Sequence, residues 1–326
     1  MRIVITGATS FVGAASVREL LRRGHEAAAV VRPGTKNLAA LTAGNGAAIS
    51  DGRLKIIEND LGEPEKLPEK IASVWDKRPA GALADVFCHF GWGGSGSSAR
   101  TDQKLQEKNL KDSLNTVRAA GEMGCGRFLF SGSQAEYGLH AEQMTEETAC
   151  APRSFYGEAK LMMREQGEAL CRELDIGYVH GRIFSAYGPG DHPWTLVETC
   201  IDRFLSGEEM VLGACSQQWN FLYIDDLARA VAALAELPKE RIFSLENPVF
   251  NLAGNDTRRL SSFVETIHRL CGLNGVCRFG SRPENAEGLV NLIPDIEKIR
   301  SVCGWEPEIS FETGITRLIA QKQGKH

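Results

Sequence analysis

Tyr156 and Lys160 are the residues of this chain whose types and spacing most directly suggest chemistry. On a helix, residues four apart share one face, one turn apart. An ammonium placed there favours the phenolate and lowers the tyrosine pKa from its free value of about 10. Such a tyrosine can exchange a proton with a carbonyl or alcohol oxygen. Because an isolated Tyr/Lys pair is usually a solvated helix face, this interpretation depends on the rest of the chain.

Ser133 offers a second group for the same oxygen. It follows the predicted strand 127–130, and the predicted helix 156–174 comes one loop later. A hydroxyl at a strand end can hydrogen-bond the substrate oxygen that the phenol serves. The alternative is a simple turn or cap serine. We predict Ser133, Tyr156 and Lys160 as the catalytic residues.

The N-terminus has the pattern of a strand, a glycine turn and a helix. An apolar run over residues 2–5 ends at Gly7, and apolar residues at helical spacing follow Gly13. Such a turn brings backbone N–H groups and a helix N-terminus against a pyrophosphate. Ser10 stands where the middle glycine of the pattern is missing. The predicted cofactor-binding residues of the turn are Gly7, Thr9, Ser10, Phe11, Val12 and Gly13.

Arg32 follows the second predicted strand, 27–31, about 20 residues after the glycine turn. A carboxylate at this point hydrogen-bonds the ribose of NAD, whereas an arginine can meet the 2′-phosphate of NADP. No Asp or Glu lies between Ala27 and Asn45, and Lys36 adds a second positive charge. Unless Arg32 is an ordinary surface residue, it predicts NADP(H) rather than NAD(H).

Further candidates follow the third and fourth predicted strands, 54–58 and 85–90. Asp60 could bond an adenine amino group, or equally cap a helix. The glycine- and serine-rich loop 91–96 lies where ligands bind in open parallel sheets, unless it is a simple flexible linker. His89 is more typical of a core histidine than of a catalytic acid. With the predicted helix 103–123, these segments supply the cofactor candidates Asp60, Leu61, Phe90 and Asn109 and the substrate candidate Trp92.

Strands and helices alternate from residue 1 to residue 184, which predicts an α/β fold with a doubly wound parallel sheet of the Rossmann type. Beyond residue 184 the regular alternation ends, and short strands, helices and loops are mixed. We expect a dinucleotide-binding domain over 1–184 that also receives about 219–255. The segments 185–218 and 256–326 would form a smaller C-terminal substrate-binding lobe.

Composition excludes several classes of protein. The net charge of −5 without a basic stripe argues against a nucleic-acid partner. Nine scattered cysteines without a C-x-x-C pair indicate reduced thiols rather than disulfides or a metal site. No apolar run approaches the ~20 residues of a membrane helix, and no signal peptide is evident. We expect a cytoplasmic protein that binds no metal and no membrane.

Together these motifs resemble the extended short-chain dehydrogenase/reductases, specifically the NAD-dependent epimerase/dehydratase group that acts on nucleotide sugars. The resemblance covers nearly the whole chain and rests on segments 6–13, 131–133, 137–138, 156–160, 182, 187–189, 221–226, 251–252, 282–283 and 304–307. It implies that Tyr156 is the acid/base, that Lys160 holds the nicotinamide ribose, and that Ser133 orients the substrate oxygen. It also implies a homodimer formed through helices 103–123 and 156–174.

The departures from the family pattern narrow the chemistry. Dehydrating members carry an Asp-Glu pair where this chain has Gln134-Ala135, so a 4,6-dehydratase is not expected. Ser185 replaces a phosphate-facing Asn and Trp219 a common Arg, while Arg282 keeps its place and could clamp a diphosphate. We expect a nucleotide-diphospho-sugar, with another polar ketone or alcohol as the alternative. The predicted substrate contacts are Trp92, Gln134, Ser185 and Arg282.

The sequence therefore predicts an enzyme, an NAD(P)-dependent oxidoreductase acting on a keto or hydroxy group of such a sugar. Arg32 favours an NADP(H)-dependent 4-ketoreductase, because net reduction in cells usually draws on NADPH. The first alternative is an epimerase with tightly bound NAD that oxidises the sugar and returns hydride to the other face. The second is a non-catalytic cofactor-binding sensor, which would be expected to have lost the proton-transfer residues that this chain retains.

Overall fold

The computed structural model describes residues 1–78, 81–94, 96, 98–281 and 290–324. The strands are β1 Arg2–Thr6, β2 Glu26–Val31, β3 Leu54–Glu58, β4 Val86–His89, β5 Arg127–Ser133, β6 Gly177–Ile183, β7 Ser185–Tyr187, β8 Glu209–Val211, β9 Gln218–Tyr223, β10 Val249–Leu252, β11 Thr257–Arg259 and β12 Val276–Arg278. The helices are α1 Phe11–Arg22, α2 Ala39–Thr42, α3 Gly46–Ser50, α4 Leu67–Ala72, α5 Gln103–Glu122, α6 Phe155–Glu173, α7 Leu196–Leu205, α8 Ile224–Ala235, α9 Lys239–Phe243, α10 Leu260–Leu270, α11 Glu297–Cys303 and α12 Phe311–Lys322. Short 3₁₀ turns lie at Pro64–Lys66, Ala99–Thr101 and Gln134–Glu136.

Seven strands form one sheet in the order β10-β6-β5-β4-β1-β2-β3. The pairings of β1 with β2 and β4, of β2 with β3, and of β4 with β5 are parallel. Thr6 pairs with Val30 and with His89, so the carboxyl ends of β1, β2 and β4 lie at one edge. The order β3-β2-β1-β4-β5-β6 is that of a doubly wound dinucleotide-binding sheet. The predicted fold class is confirmed.

The central strands are continuous apolar runs because helices cover both faces of a doubly wound sheet. All four residues of β4 are buried. Phe87 and Phe128 stack with ring centroids 5.4 Å apart, and Val117 of α5 lies in the same core. The Asp102 carboxylate accepts the Leu105 N–H at 3.1 Å and so begins α5 as its N-cap. Strand burial and helix capping thus follow directly from the local sequence.

The chain divides into two compact units. The first contains Met1–Glu136, Cys150–Arg182 and Ala228–Phe250, and the second contains Tyr137–Ala149, Ile183–Leu227 and the chain from Asn251 onwards. The second unit has a three-stranded sheet, β11-β9-β7, and a two-stranded sheet, β12-β8. Of the segment 219–255 that the sequence analysis assigns to the first domain, Ala228–Phe250 lies in the first unit. The functional division into a cofactor domain and a substrate lobe stays a prediction.

Short elements account for most differences from the sequence analysis. The sequence predicts one helix over about 65–75, whereas the structure has the 3₁₀ turn Pro64–Lys66 followed by α4, which has a proline in its first turn. Proline is tolerated there because the first N–H groups of a helix have no partner within it. The helices and strands that the sequence analysis did not predict are α2, α3, α9, α11, β7, β8, β11 and β12, each of seven residues or fewer. Segments this short carry too little periodicity to be recognised.

All nine cysteines are free thiols. In the described part of the chain, no helix is both long and apolar enough to cross a membrane.

Candidate active site

The glycine turn between β1 and α1 is packed too tightly for side chains. Gly7 has a φ of +66°, and a Cβ there would lie 2.6 Å from the backbone of Phe90 and Gly91. A Cβ on Gly13 would lie 2.1 Å from the Gly7 carbonyl oxygen. Ser10 is the N-cap of α1, and its hydroxyl accepts the Gly13 N–H at 3.0 Å. Close backbone packing against a helix N-terminus is the arrangement that a pyrophosphate group fits.

The other predicted residues of the turn lie on the same segment. The Thr9 carbonyl accepts a hydrogen bond from the Asn37 side chain at 2.7 Å. Phe11 and Val12 open α1 and are half-buried, and the Val12 carbonyl accepts the Ser16 hydroxyl at 2.8 Å. These bonds hold the turn in place, while contact of its residues with a cofactor stays a prediction.

Arg32 lies just past the end of β2 and is exposed. Among the residues that the structure describes, no carboxylate forms an ion pair with its guanidinium. The Arg32 side chain is therefore accessible to a phosphate in solution.

Asp60 and Leu61 follow β3. The Asp60 carboxylate accepts the Gly62 N–H at 2.8 Å, which forms a local turn. The N-cap of the following 3₁₀ turn is Glu63, so the helix-cap alternative for Asp60 was wrong. The Leu61 side chain occupies the space beside Gly91, where a Cβ would lie 2.5 Å from Leu61 Cδ2. This contact ties the segment after β3 to the loop after β4.

The loop after β4 is anchored by α5 over its first residues, so a simple flexible linker does not describe it. Asn109 donates to the Gly93 carbonyl at 2.7 Å and accepts the Gly93 N–H at 3.1 Å. Gln106, which the sequence analysis missed, accepts from Trp92 Nε1 at 2.8 Å. Its position three residues before Asn109 on the same helix face was the available signal. Phe90 is buried at the start of this loop.

Ser133, Tyr156 and Lys160 come together at the carboxyl end of β5. Ser133 is the last residue of that strand, and the other two lie in the first turns of α6. All three are buried, with 6%, 9% and 2% of their surfaces exposed. The Ser133 hydroxyl lies near the Tyr156 phenol and acts to lower its pKa. A hydroxyl and a phenol side by side can serve one substrate oxygen.

Lys160 is surrounded by aromatic rings. Its amine lies 3.9 Å from the Trp92 ring centroid, 4.5 Å from that of Phe130 and 5.7 Å from that of Tyr156. It donates a hydrogen bond to the Ser131 carbonyl at 2.7 Å. Burial lowers the pKa of Lys160 to about 7, although the charge of Glu136 opposes this. The amine is therefore only partly charged near neutral pH.

Burial raises the pKa of Tyr156, which is opposite to the direction expected from the Tyr/Lys spacing. Arg100 and the Ser133 hydroxyl act against burial and favour the phenolate. The Arg100 guanidinium lies 4.7 Å from the Tyr156 ring centroid. The expectation was wrong because spacing carries no information about burial. Arg100, in the 3₁₀ turn Ala99–Thr101, was missed although it is the first charged residue after loop 91–96.

His89 is a core residue, as predicted. It is 2% exposed, with Nδ1 2.6 Å from the Thr6 hydroxyl and Nε2 2.9 Å from the Ser113 hydroxyl. Burial lowers the pKa of His89 to about 3, so the ring is neutral at physiological pH. Its hydrogen bonds join β4 to β1 and α5.

The predicted substrate residues are scattered. Trp92 is half-buried and meets Tyr156 edge-on, with centroids 6.2 Å apart. Gln134 opens the 3₁₀ turn after β5. Ser185 begins β7 in the second unit and pairs with Phe221. Arg282 lies outside the described residues. Within them, no cluster of three or more His, Cys, Asp or Glu side chains could hold a metal ion.

Comparisons with known proteins point in one direction. The chain is 26% identical over 335 residues to UDP-glucuronic acid decarboxylase 1 of Arabidopsis thaliana, covering 98% of this chain and 69% of that protein. It is 24% identical over 331 residues to the uncharacterized UDP-glucose epimerase YtcB of Bacillus subtilis, covering 98% and 97%.

Solved structures show the same fold. A UDP-glucose 4-epimerase from Thermotoga maritima, solved with UDP-glucose, has a TM-score of 0.84 at 22% identity and covers 99% of both chains. A Thermus thermophilus UDP-glucose 4-epimerase in complex with NAD has a TM-score of 0.81 at 21% identity, with complete coverage of both chains.

A family model decides the assignment. The model described as the NAD dependent epimerase/dehydratase family matches residues 3–253, which include the glycine turn and the Ser133, Tyr156 and Lys160 positions. The resemblance inferred from the motifs is confirmed, and with it the expectation of an enzyme family. This chain is a member of the NAD dependent epimerase/dehydratase family.

Proposed function

We propose that this chain is an NAD(P)-dependent oxidoreductase that acts on a hydroxy or keto carbon of a nucleotide-diphospho-sugar. The observation that carries the proposal is the grouping of Ser133, Tyr156 and Lys160 at the carboxyl end of β5. Through the parallel pairings of β5 with β4 and of β4 with β1, this is the edge of the sheet that also carries the glycine turn. Ligands of open parallel sheets bind at that edge.

The residues present fit a dinucleotide cofactor. Neither Gly7 nor Gly13 could carry a side chain, because a Cβ at either position would collide with backbone atoms. The N-terminus of α1 lies in the same turn. In this site the turn would hold the pyrophosphate and Lys160 a hydroxyl of the nicotinamide ribose. The cofactor, when bound, supplies hydride transfer.

The protein itself would manage the proton and the orientation of the substrate. Tyr156 would give or take the proton at its phenol oxygen, and the Ser133 hydroxyl would hold the same sugar oxygen. Arg100 would favour the phenolate form by its charge. Trp92, held by Gln106, would cover one side of the site and exclude water.

Relatives and neighbours support a nucleotide sugar as substrate and 4-epimerisation as the first candidate reaction. Two of the similar structures are UDP-glucose 4-epimerases, and a third is a UDP-glucuronic acid 4-epimerase from Bacillus cereus solved with UDP-glucuronic acid and NAD. Gln134-Ala135 supply no carboxylate, which argues against dehydration. Because an epimerase returns its hydride to the same sugar, it needs no second substrate.

A specific observation favours a second candidate, a 4-ketoreductase that uses NADPH. Arg32 is exposed at the end of β2, where a 2′-phosphate would lie in a cofactor of this fold. A cofactor used for net reduction must leave after each turnover.

Two further assignments are proposals. The free state of all nine cysteines supports a reducing, cytoplasmic location. A homodimer through α5 and α6 is supported by Phe155 and Met162 of α6, which are 37% and 43% exposed.

The replacement Tyr156→Phe tests the proposed function. Removing the hydroxyl leaves no acid/base at the sugar oxygen, so turnover of UDP-glucose or UDP-glucuronic acid with NAD should fall by about 100-fold or more. Cofactor affinity should change little. Tyr187→Phe is the matched control, because Tyr187 is also buried but donates to the Phe311 carbonyl in the second unit. Undiminished turnover in Tyr156→Phe would refute the acid/base role, whereas an unaltered protein that binds cofactor but turns over neither sugar would support the non-catalytic sensor.

A further inference from the structure

Glu136, His180 and Arg182 form a fully buried charged cluster directly behind Ser133. Their exposed fractions are 0%, 0% and 3%. Glu136 Oε1 lies 2.9 Å from His180 Nε2, and Glu136 Oε2 accepts from Arg182 Nε at 2.8 Å. Buried ion pairs are often no more stabilising than apolar residues of similar volume. A contribution to stability is therefore a weak explanation for this cluster. Its contacts with β5 and its charge interaction with Lys160 suggest another role.

The cluster occupies the space in which a side chain at Gly132 of β5 would lie. A Cβ on Gly132 would lie 2.2 Å from His180 Nε2 and 2.7 Å from Glu136 Oε1. Gly132 is not among the glycines with positive φ, so its backbone would accept another residue. Glycine is required here because the carboxylate and the imidazole occupy the place of a side chain.

Glu136 and Lys160 hold the same three-residue segment from its two ends. The Ser133 N–H donates to Glu136 Oε1 at 2.7 Å, and Lys160 donates to the Ser131 carbonyl at 2.7 Å. The backbone on both sides of Gly132 is thus fixed by charged groups. Charge-assisted hydrogen bonds of this kind are stronger than neutral ones, so they set the position of Ser133 firmly.

Four titratable groups act on the amine of Lys160: Tyr156 on its own helix, His89 on β4, His180 on β6 and Glu136. Burial lowers the pKa of both histidines, that of His89 to about 3. Burial would raise the pKa of Glu136, but the charges and hydrogen bonds of His180 and Arg182 bring it down to about 2. Glu136 is therefore ionised at neutral pH, and its charge acts against the lowering of the Lys160 pKa by burial.

We propose that Glu136 is a positioning residue for the reaction assigned to Tyr156: its carboxylate fixes the backbone that carries Ser133, and its negative charge favours the ammonium form of Lys160. This inference rests on the proposed function, in which Ser133 orients the sugar oxygen and Lys160 holds a hydroxyl of the nicotinamide ribose.

The two roles can be separated by two substitutions. Glu136→Gln keeps an oxygen that can accept the Ser133 N–H but removes the negative charge. Glu136→Asp keeps the charge but withdraws it by one methylene from Ser133. Glu146→Gln is the control, because Glu146 is also buried, at 7% exposure, and accepts the Asn251 N–H at 2.8 Å in the second unit.

The primary measurement is an NMR titration of the Lys160 amine in ¹⁵N-lysine-labelled, cofactor-free protein, assigned with Lys160→Met. In Glu136→Gln the titration midpoint should fall by about one pH unit or more, which leaves about tenfold less ammonium above the midpoint. Glu136→Asp should keep its midpoint closer to that of the unaltered protein. Glu146→Gln should match the unaltered protein.

Turnover supplies the second measurement. In Glu136→Gln the alkaline limb of the kcat profile should move to lower pH, because the ammonium is lost at lower pH. In Glu136→Asp kcat should fall without a comparable move of that limb. Because the NMR titration needs no substrate, a failure to find turnover would count against the proposed function alone.

Several results would overturn the inference. An unchanged Lys160 midpoint in folded Glu136→Gln would remove the electrostatic role. Unchanged kcat in Glu136→Asp would remove the positioning role. If Glu136→Gln does not fold, Glu136→Asp still decides: wild-type kcat together with a wild-type Lys160 midpoint would show that the place of the carboxylate is immaterial.

Discussion

Burying the charged form of Lys160 opposes folding, as the lowered pKa of its amine shows. Its amine is buried among Trp92, Phe130 and Tyr156, and its pKa is lowered from 10.5 to about 7. Between these pH values the unfolded chain binds a proton that the folded chain does not, so the stability contributed by this residue rises with pH across that window. Below about pH 7 the burial penalty is fully present. A buried ionisable group with a strongly shifted pKa beside a phenol is typical of a functional site.

Arg32 carries the prediction about the cofactor. In a fluorescence titration we expect the unaltered protein to bind NADPH more tightly than NADH. Arg32→Asp should weaken the binding of NADPH by about tenfold or more. The contact between the guanidinium and the 2′-phosphate is lost, and the new carboxylate repels that phosphate. Binding of NADH should change less.

Arg118→Asp is the matched control, because Arg118 is an exposed cation on α5 of the same unit. Tighter binding of NADH than of NADPH, or NAD already bound on purification, would contradict the Arg32 argument and support the epimerase.

At the scale of elements, α6 brings Tyr156 and Lys160, two of the proposed catalytic residues, to β5 by close packing. The Ser154 hydroxyl accepts the Gly157 N–H at 3.3 Å and begins the helix one residue before Tyr156. A Cβ on Gly157 would lie 2.6 Å from the Ala135 carbonyl oxygen. The first turn of α6 therefore rests on the turn that follows Ser133. This contact fixes the distance between the serine hydroxyl and the phenol.

The glycine turn allows a test at the same scale. Alanine is intrinsically better than glycine in a helix by about 1 kcal/mol. Gly13→Ala should nevertheless lower the melting temperature and weaken binding of NADH and NADPH, because the new methyl group would collide with the Gly7 carbonyl.

The control for that substitution is Gly46→Ala at the start of α3, where nothing lies within 4 Å of the new Cβ. It should keep both the melting temperature and the affinity. If Gly13→Ala behaved like Gly46→Ala, the close packing of the turn would not be what shapes the cofactor site.

At the scale of the whole molecule, the proposed catalytic residues and the glycine turn belong to the first compact unit, whereas Ser185 belongs to the second. The first unit is built around one parallel sheet, in which aromatic residues of β4, β5 and β6 stack. Phe128 lies 5.4 Å from Phe87 and 6.3 Å from Tyr178 between ring centroids. This core holds the strand ends at which the site is built.

Truncating this core tests how much it contributes to the stability of the first unit. Phe87→Ala should lower the free energy of unfolding by about 3–5 kcal/mol, because it removes a fully buried ring from a packed core. Phe243→Ala, at a position that is 45% exposed, should cost about 1 kcal/mol or less. Urea denaturation followed by circular dichroism gives both values, and equal losses would mean that the sheet core does not dominate the stability of the unit.

The sequence by itself determined the doubly wound fold, the family and the set Ser133, Tyr156 and Lys160. Strand burial, glycine turns and helical spacing are local properties, so each can be recognised from a short segment of the sequence. The core role of His89 also followed from its place inside an apolar strand.

Only the tertiary structure decided the electrostatics. Arg100 beside Tyr156, the burial of Lys160, and the contact of Glu136 with His180 and Ser133 join segments that are far apart in the chain. The effect of a charge depends on its distance through space and on its exposure to solvent. Residue spacing in the sequence reports neither of these. For that reason the sequence predicted that Tyr156 and Lys160 act together but predicted the wrong direction for the pKa of Tyr156.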